Sequence, residues 1–420
     1  MTYGLLRGLR VVESSAFIAA PLAGLTLAQY GADVIRVDMI GGGIDYGRLP
    51  RAASGRSLYW TGLNKDKRSV AVDLRQPQGQ ELVQALVTAP DRPGEDGGVL
   101  LTNITVPWLA HGLLAARRSD VITCTIQGNA DGSTAVDYTV NCATGYPSVT
   151  GASASQEPVN HVLPAWDIGC AYQAAFAIVA ARQQRRETGQ GAELSLALSD
   201  VAFSMLSHLG VLAQAEVLGQ DRPAIGNHIY GAFGRDFATR DGARVMVAGI
   251  SGGQWRALVQ ACGLREAMAD LQARTGLDLA DEAQRYEARE DIAALLEPWF
   301  LARSLDEAAR VLDAHRVCWG PYRTALQAVQ VDPRASLANP IFEQVCTPGV
   351  GTHRVAGAAV RIGGAARQDT RAAPLLGADT DAVLHEVLGL SGAQIGRLHD
   401  AGVVAGPEKD PTSPQAGRTR

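Results

Sequence analysis

The first forty residues alternate between two hydrophobic periods, and this alternation constrains the fold more than any other feature. Leu9–Glu13 is a short apolar run of the β type, Ala20–Tyr30 has helical spacing, and Ala32–Asp38 is again strand-like. A strand, a helix and a second strand in close succession favour a parallel sheet with right-handed crossovers. The pattern therefore predicts an α/β protein with a large Rossmann-like domain.

The same alternation continues through the first half of the chain. Strands are predicted at 69–74, 99–102, 121–126 and 193–198, and helices at 78–87 and 199–217. A chain of 420 residues exceeds one simple core, so two domains are expected. The boundaries are predicted as a large α/β domain at 1–220, a smaller α+β domain at 221–332, a return to the large domain at 333–406 and a disordered tail at 407–420.

The charge and hydropathy of the chain restrict the classes of partner that it is expected to bind. The net charge is −5 without a dense block of Lys or Arg, which argues against nucleic acid. No apolar run approaches the ~20 residues of a membrane span, and the N-terminus lacks the apolar core of a signal peptide. A cytoplasmic protein without a membrane partner is expected.

The sequence also gives no signature of a cofactor. The six cysteines form no CxxC pair and the eight histidines show no zinc-site spacing, so free thiols and no metal are predicted. The turn after the first strand, at 14–21, has no GxGxxG, so neither NAD nor a flavin is supported.

Asp167 is the strongest single candidate for chemistry. It precedes an alanine-rich stretch, 170–186, that ends in basic residues and is followed by Gly189, which predicts a helix with Asp167 at its N-cap. A carboxylate there faces free backbone N–H groups and should stay ionised, and an ionised carboxylate can act as a nucleophile. The local sequence alone favours a purely structural cap over a nucleophile, so the case for chemistry has to come from the rest of the chain.

Several short segments, in order and at sensible spacings, carry a resemblance. They are Val11–Glu13 with Pro21, Gly31–Asp38, Asn64–Ser69, Leu101–Asn103, the Asp167 segment, Gly189–Gly191 with Leu196 and Asp200, and Phe237–Gly242. Together they make the chain resemble the class III CoA-transferases over nearly its whole length. The resemblance implies a large α/β domain, a small domain, and two subunits interlocked in a homodimer.

The resemblance also implies a mechanism and an acyl-CoA substrate. In the family an aspartate, matched here by Asp167, attacks the acyl-CoA thioester to form a mixed anhydride. The CoA thiolate then attacks the aspartyl carbonyl and gives an enzyme–CoA thioester. CoA is part of the substrate, so no separate cofactor is implied.

Three segments, Val136–Asn141, Asn160–Asp167 and Gly226–Asp236, are most similar to one branch of the family. That branch moves CoA between the C1 and C4 carboxyl groups of 2-methylfumarate within one molecule. The freed acid must then be retained and water excluded. Gly226–Gly234 is therefore a candidate lid, and an inter-domain linker is an equal alternative.

The binding residues are carried over by position. The predicted CoA contacts are Leu63, Asn64, Lys67, Arg68, Asn103 and Gln127. The candidates for the rest of the substrate are His161, Asp137, Tyr138, Arg48 and Arg235. Ile18, Met39 and Gln127 depart from residues that some family members have, which affects the contacts at the nucleotide end.

Three alternatives remain open. An intermolecular CoA-transferase would use the same Asp167. An α-methylacyl-CoA racemase needs a pair of general bases, and Val136 stands where the family's racemases carry a histidine. A catalytically inactive CoA-binding protein is the third alternative, and the presence of Asp167 argues against it.

Overall fold

A computed structural model describes residues 2–152 and 157–413. Within these ranges the strands are β1 (Leu9–Ser14), β2 (Asp33–Met39), β3 (Arg68–Val72), β4 (Asp96–Thr102), β5 (Ile122–Gln127), β6 (Ala192–Ala197), β7 (Phe233–Ala238), β8 (Arg244–Gly249), β9 (Cys318–Pro321), β10 (Phe342–Thr347), β11 (Gly351–Ala356) and β12 (Val404–Ala405).

The α-helices of the same ranges are α1 (Ala19–Gln29), α2 (Leu58–Asn64), α3 (Pro77–Thr88), α4 (His111–Ala115), α5 (Asp137–Ala143), α6 (Tyr146–Val149), α7 (Ala165–Thr188), α8 (Leu198–His208), α9 (Val211–Leu218), α10 (Gly252–Cys262), α11 (Arg265–Thr275), α12 (Glu282–Glu287), α13 (Arg289–Leu301), α14 (Leu305–Ala314), α15 (Ala325–Val331), α16 (Thr380–Leu388) and α17 (Gly392–Asp400). Short 3₁₀ turns lie at Pro107–Leu109, Pro333–Ala335 and Pro407–Lys409.

The larger of two compact units is built on a mostly parallel sheet. Among the described residues its strand order is β12-β3-β2-β1-β4-β5-β6, and every pair except β12–β3 is parallel. The apolar residues of the strands are buried between helices, as in sheets covered on both faces. The α/β expectation with a parallel sheet is confirmed.

The strand order reverses beside β1. The chain runs from β1 outward through β2 and β3 and then returns to β4 on the other side of β1. Ser14 at the end of β1 lies opposite Thr102 at the end of β4, so the loops that follow both strands leave the same edge of the sheet. Ligands of open α/β sheets bind at the carboxyl ends of the strands at such a reversal.

The smaller unit contains an antiparallel sheet, β7–β8–β9, with α10 to α14 around an apolar core of its own. It comprises Gly145–His161 and Ala215–Asp332, whereas the sequence placed the boundary at 220/221 and assigned 145–161 to the large domain. The difference has a local cause, because the Gly226 N–H donates to the Gly151 carbonyl at 3.0 Å.

Two other local expectations are corrected. The helix predicted at 199–217 is divided because Gly210 is left-handed, with φ of 72°. The segment Gly226–Gly234, predicted as a lid or a linker, runs into β7 at Phe233, which is fully buried, and neither alternative is tested by this. The tail predicted as disordered from 407 is ordered to 413: Asp410 is buried and accepts from the Tyr46 hydroxyl at 2.6 Å. Residues 414–420 lie outside the described residues.

The helices were also compared with the length of a membrane span. In the described ranges no single helix is long and apolar enough to cross a membrane. The pair α8 and α9, bent by 62°, passes that test together by length and composition alone.

A buried ionic network ties β1, β2 and β3 together in the larger unit. The Lys67 ammonium donates to Glu13 Oε1 at 2.9 Å, to the Pro21 carbonyl at 2.8 Å and to Asn64 at 2.9 Å. Arg36 reaches the same Glu13 oxygen at 3.0 Å, and both cations are buried. Charges removed from water persist only when they are paired and hydrogen-bonded in this way.

Removing one charged partner from this network should lower the stability of the folded protein. Lys67→Met leaves Glu13 with one cation, and we expect the free energy of unfolding to fall by about 3–5 kcal/mol, since one partner of a buried pair is lost. Urea denaturation at pH 7 measures it. Lys65→Met is the control, because among the described residues Lys65 has no ion pair and its ammonium donates to a carbonyl, that of Gly62. Equal losses in the two variants would contradict the prediction.

Candidate active site

A cavity of 580 Å³ opens at the carboxyl edge of the parallel sheet, where the strand order reverses. It lies within the larger unit. Its lining residues are Phe17, Ile18, Ala19, Arg48, Tyr59, Asn103, Ile126, Gln127, Gly128, Ala135, Val136, Asp137, Tyr138, Val162, Pro164, Asp167 and Leu198. Six residues predicted from the sequence are thereby brought together: Asp167, Arg48, Asn103, Gln127, Asp137 and Tyr138.

Asp167 lies in the first turn of α7, and its position corrects the sequence-based interpretation. The helix begins at Ala165 after Pro164, so Asp167 is its third residue and not its N-cap. Asp137 caps the helix instead, accepting from the Trp166 N–H at 2.7 Å and the Asp167 N–H at 3.0 Å. The cap therefore comes from thirty residues upstream, and the Asp167 carboxylate is left for other partners.

One of these partners is the N-terminus of a second helix. The backbone N–H of Ala19, the first residue of α1, lies near enough to the Asp167 carboxyl group to lower its pKa. The residue before it, Ile18, makes no side-chain cap, so Asp167 lies near a free amide at the positive end of α1.

The carboxyl of Asp167 is nevertheless harder to ionise than the sequence suggested. Burial, and then the nearby charge of Asp137, raise its pKa to about 7, while the Ala19 N–H and Arg48 act in the opposite direction. The expectation of a fully ionised carboxylate near neutral pH is therefore wrong, because Asp137 already occupies the amides at the start of α7. A raised pKa in a cavity is typical of a functional carboxyl group.

Arg48 and Tyr59 form the polar wall beside Asp167. The Arg48 guanidinium carbon lies 5.4 Å from the centroid of the Phe17 ring and 5.2 Å from that of Tyr59, and within the described ranges it has no ion pair. The Tyr59 hydroxyl is buried and has no hydrogen-bond partner in the described part of the chain, and burial raises its pKa to about 12. The wall therefore offers a cation and a hydroxyl to a ligand.

Four of the predicted CoA contacts do not line this cavity. Lys67 and Asn64 are both buried: the Lys67 ammonium donates to Glu13 and to Asn64, and Asn64 also accepts from Arg36, so neither side chain is available as a ligand contact. Arg68 is occupied by Asp33 at 2.5 Å and Glu386 at 2.6 Å. Leu63 is half-buried on α2. A basic pair after a tight turn suggested phosphate binding, but its partners come from distant strands and helices.

The other two predicted CoA contacts do line the cavity. Asn103 follows β4, and its side-chain amide is engaged with the backbone of Ala16, accepting from the N–H at 2.9 Å and donating to the carbonyl at 2.7 Å. Gln127 at the end of β5 donates to the Ala130 carbonyl at 3.2 Å. The Asn103 amide thus shapes the cavity wall, and Gln127 remains a candidate contact.

The last two candidates belong to the smaller unit. Arg235 lies on β7, where its guanidinium is 3.8 Å from Glu290, and His161 lies at the end of the segment 145–161. Neither is among the residues that line the cavity.

Sequence reasoning missed Phe17, Ala19 and Tyr59. A usable signal for Tyr59 was Ser57, whose side chain accepts from the Trp60 N–H and starts α2. No local signal marks Phe17, whose φ of 65° is unusual for a residue with a side chain.

The described residues include no group of three or more His, Cys, Asp and Glu side chains that could hold a metal ion. The polar groups at the cavity are suited to nucleophilic attack by a carboxylate and to holding an anionic or polar substrate.

The raised pKa of Asp167 has a consequence for stability. An ordinary Asp ionises near pH 4 when unfolded, so between about pH 4 and 7 the native state increasingly disfavours the charge, and above 7 the cost is constant. We expect Asp167→Asn to raise the free energy of unfolding at pH 8 by about 1–4 kcal/mol and to have little effect at pH 4. Denaturant titrations at both pH values measure it, with Asp131→Asn as an exposed control. A gain that does not grow with pH would contradict the prediction.

Comparison with known proteins agrees with this geometry. Residues 6–380 match the model of CoA-transferase family III. A 2-methylfumaryl-CoA isomerase of Chloroflexus aurantiacus is 50% identical over 408 residues, which cover 97% of this chain and 99% of that protein. A formyl-CoA:oxalate CoA-transferase of Rhodopseudomonas palustris is 27% identical over 433 residues, covering 96% and 98%.

Among solved structures, a CAIB/BAIF family protein from Brucella suis superposes with a TM-score of 0.75 at 24% identity, covering 92% of this chain and 100% of that one. The family model spans most of the chain, and the 50% identical relative is matched over nearly its whole length. The chain therefore belongs to CoA-transferase family III.

Proposed function

We propose that this protein is an intramolecular CoA transferase that moves CoA between the C1 and C4 carboxyl groups of 2-methylfumarate, with Asp167 as the nucleophile. The observation that carries the proposal is the Asp167 carboxylate, which lines an open cavity at the sheet edge together with Ala19, the first residue of α1. The 2-methylfumaryl-CoA isomerase at 50% identity supports the choice of substrate.

The proposed reaction begins with covalent exchange at Asp167. A carboxylate oxygen attacks the thioester carbonyl, the C–S bond breaks, and CoA leaves as the thiolate from a mixed anhydride. The thiolate attacks the aspartyl carbonyl, the anhydride C–O bond breaks, and the dicarboxylate is freed beside an aspartyl-CoA thioester. These exchanges transfer acyl groups without moving electrons to or from an acceptor, so we propose that no cofactor takes part and that CoA enters with the substrate.

The second half returns CoA to the other carboxyl group. The freed dicarboxylate turns, and its second carboxylate attacks the aspartyl-CoA carbonyl and expels the thiolate again. The thiolate then attacks the substrate carbonyl of the new anhydride, which releases the product and regenerates Asp167. Retention of the acid makes this step effectively unimolecular, a gain of about 7–11 kcal/mol in favourable cases.

A dicarboxylic substrate needs a partner for the carboxylate that is outside the thioester. Arg48 is suited to this role, because it lines the cavity beside Asp167 and has no ion pair among the described residues. Tyr59 and Tyr138 line the same cavity and complete a polar pocket. Val136 also lines it and supplies no base, so a racemase is not proposed.

We also propose an interlocked homodimer, as the family resemblance implies. Large apolar side chains on α7 and α8 are exposed in the single chain, among them Tyr172, Phe176 and Phe203. Several large exposed apolar side chains on two neighbouring helices support a protein interface there.

Replacing Asp167 tests the nucleophile. We expect Asp167→Ala to lose nearly all conversion of C1-linked to C4-linked 2-methylfumaryl-CoA while it stays folded, because the covalent intermediates cannot form. Product analysis by liquid chromatography with a single acyl-CoA and no added acid measures it. Asp131→Ala is the control, since that side chain is exposed. Normal conversion by Asp167→Ala would refute the proposal, and conversion by the wild type only when a free acid is added would indicate an intermolecular transferase.

The pH dependence follows from the same group. Only the ionised carboxylate attacks, and its pKa is about 7, so kcat/KM should rise about tenfold per pH unit below pH 7 and level off above it. Initial rates between pH 5 and 9 measure this profile. A profile that is flat from pH 5 to 7 would show that another group limits the reaction.

Arg48 should determine the preference for a dicarboxylic substrate. We expect Arg48→Met to lower kcat/KM for 2-methylfumaryl-CoA roughly 10- to 150-fold, the range of a lost charge-assisted hydrogen bond. For transfer of CoA from a monocarboxylic acyl-CoA to an added monocarboxylic acid the change should be smaller, and Arg48→Lys should retain part of the activity. Equal losses for both substrates would contradict the role.

A further inference from the structure

The turn between β1 and α1 places the amide that lies near Asp167. Phe17 in this turn has φ of 65°, a left-handed conformation that residues with side chains rarely adopt. Such a conformation persists only where the surrounding structure holds it. The side chains that hold this turn therefore also determine where the Ala19 amide lies relative to Asp167.

Each of three successive residues in the turn is fixed by a different side chain. Arg36 donates to the Ser15 carbonyl at 2.9 Å. Asn103 makes two hydrogen bonds with the Ala16 backbone, at 2.9 and 2.7 Å. Asp45, which is 2% exposed, accepts from the Phe17 N–H at 3.0 Å.

The next two residues, Ile18 and Ala19, connect this turn to the cavity. Ile18 precedes α1 without a side-chain cap, and Ala19 lines the cavity with Asp167, where its N–H acts to lower the pKa of that carboxyl group. If the turn relaxed, this amide would move with it, since only one residue separates Phe17 from Ala19. Neither Asp45 nor Arg36 lines the cavity, so neither contacts a ligand there, and their hydrogen bonds reach it through the backbone of the turn.

We propose that Asp45 and Asn103 are positioning residues that clamp the Ala16–Phe17 turn and so keep the Ala19 amide beside the Asp167 carboxylate. The inference rests on the proposed role of Asp167 as nucleophile. The same amide then remains in place when that carboxylate oxygen becomes the oxygen of the tetrahedral intermediates, where a fixed donor lowers the barrier.

A simpler role for Asp45 would be to balance the charge of Arg36. The distances argue against it, because Arg36 already lies 3.0 Å from Glu13 and 2.9 Å from Asp38, whereas Asp45 is 3.7 Å away. The shortest described contact of the Asp45 carboxylate is with the Phe17 amide. The backbone contact is therefore the closer of its two partners.

Two substitutions at Asp45 separate these roles. Asp45→Leu removes the acceptor, and we expect kcat to fall roughly 10- to 100-fold, as for a displaced catalytic group, with KM changed less than kcat. The apparent pKa in kcat/KM should rise above that of the wild type, because the Ala19 N–H that lowers it is lost. Asp45→Asn keeps an oxygen for the Phe17 N–H and removes the charge, so it should retain most of kcat and an unshifted pH profile. Similar kcat and pH profiles for the two variants would overturn the proposal.

Asn103→Leu provides a second test if Asp45→Leu does not fold. It removes both hydrogen bonds to Ala16 and leaves the charges around Arg36 unchanged, and the same loss of kcat and the same shift in pH profile are expected. The double variant should lose little more than either single one, because both act on one turn. An unshifted profile or additive losses would overturn the clamp. If Asp167→Ala is inactive in the same assay while these variants match the wild type, only the positioning role fails; activity in Asp167→Ala would refute the proposed function itself.

Discussion

The site depends on how two helix N-termini share two carboxylates. The start of α7 is capped by Asp137, a residue from α5, and the start of α1 is left without a side-chain cap. Asp167 lies on α7, and its carboxyl group is near the Ala19 amide at the start of α1. This exchange leaves the Asp167 carboxylate lining the cavity beside the start of α1, where burial and then the charge of Asp137 raise its pKa.

The ionic network under the sheet supports the same arrangement. Glu13 lies in the central strand, and its partners Arg36 and Lys67 come from the neighbouring strand and from the start of the next. Arg36 extends from this network to the Ser15 carbonyl, at the point where β1 ends. Burying so many charges costs desolvation free energy, and a hydrophobic core could provide equal stability. The ionic network instead fixes the edge of the sheet, from which the loop that carries the Ala19 amide leaves.

The sequence predicted those parts of the molecule that depend on short-range pattern. The strand at the start of the chain and the helix after it agree with β1 and α1 within a residue or two, because their periodicity reports burial directly. The role of Lys67 could not be predicted in this way, since its partner Glu13 is 54 positions away and the local turn looked suited to phosphate. The predicted N-cap of α7 was wrong for the same reason. An N-cap rule considers only residues next to the helix, whereas Asp137 is distant in sequence. Family resemblance identified Asp167 where local pattern favoured a structural cap.

The raised pKa of Asp167 fits the first half of the proposed reaction. In the mixed anhydride, the thiolate can attack either carbonyl, and the better leaving group is the carboxylate of the stronger acid. An ordinary carboxylic acid has a pKa of about 4, whereas that of Asp167 is about 7, so attack at the aspartyl carbonyl, which expels the substrate, is favoured in the first half. The last step, attack at the substrate carbonyl, runs against this bias. The favoured direction forms the aspartyl-CoA thioester and frees the dicarboxylate, which is the state in which it can turn. A carboxylate fully stabilised by its own helix would lose that bias, which gives the displaced cap at Asp137 a chemical consequence.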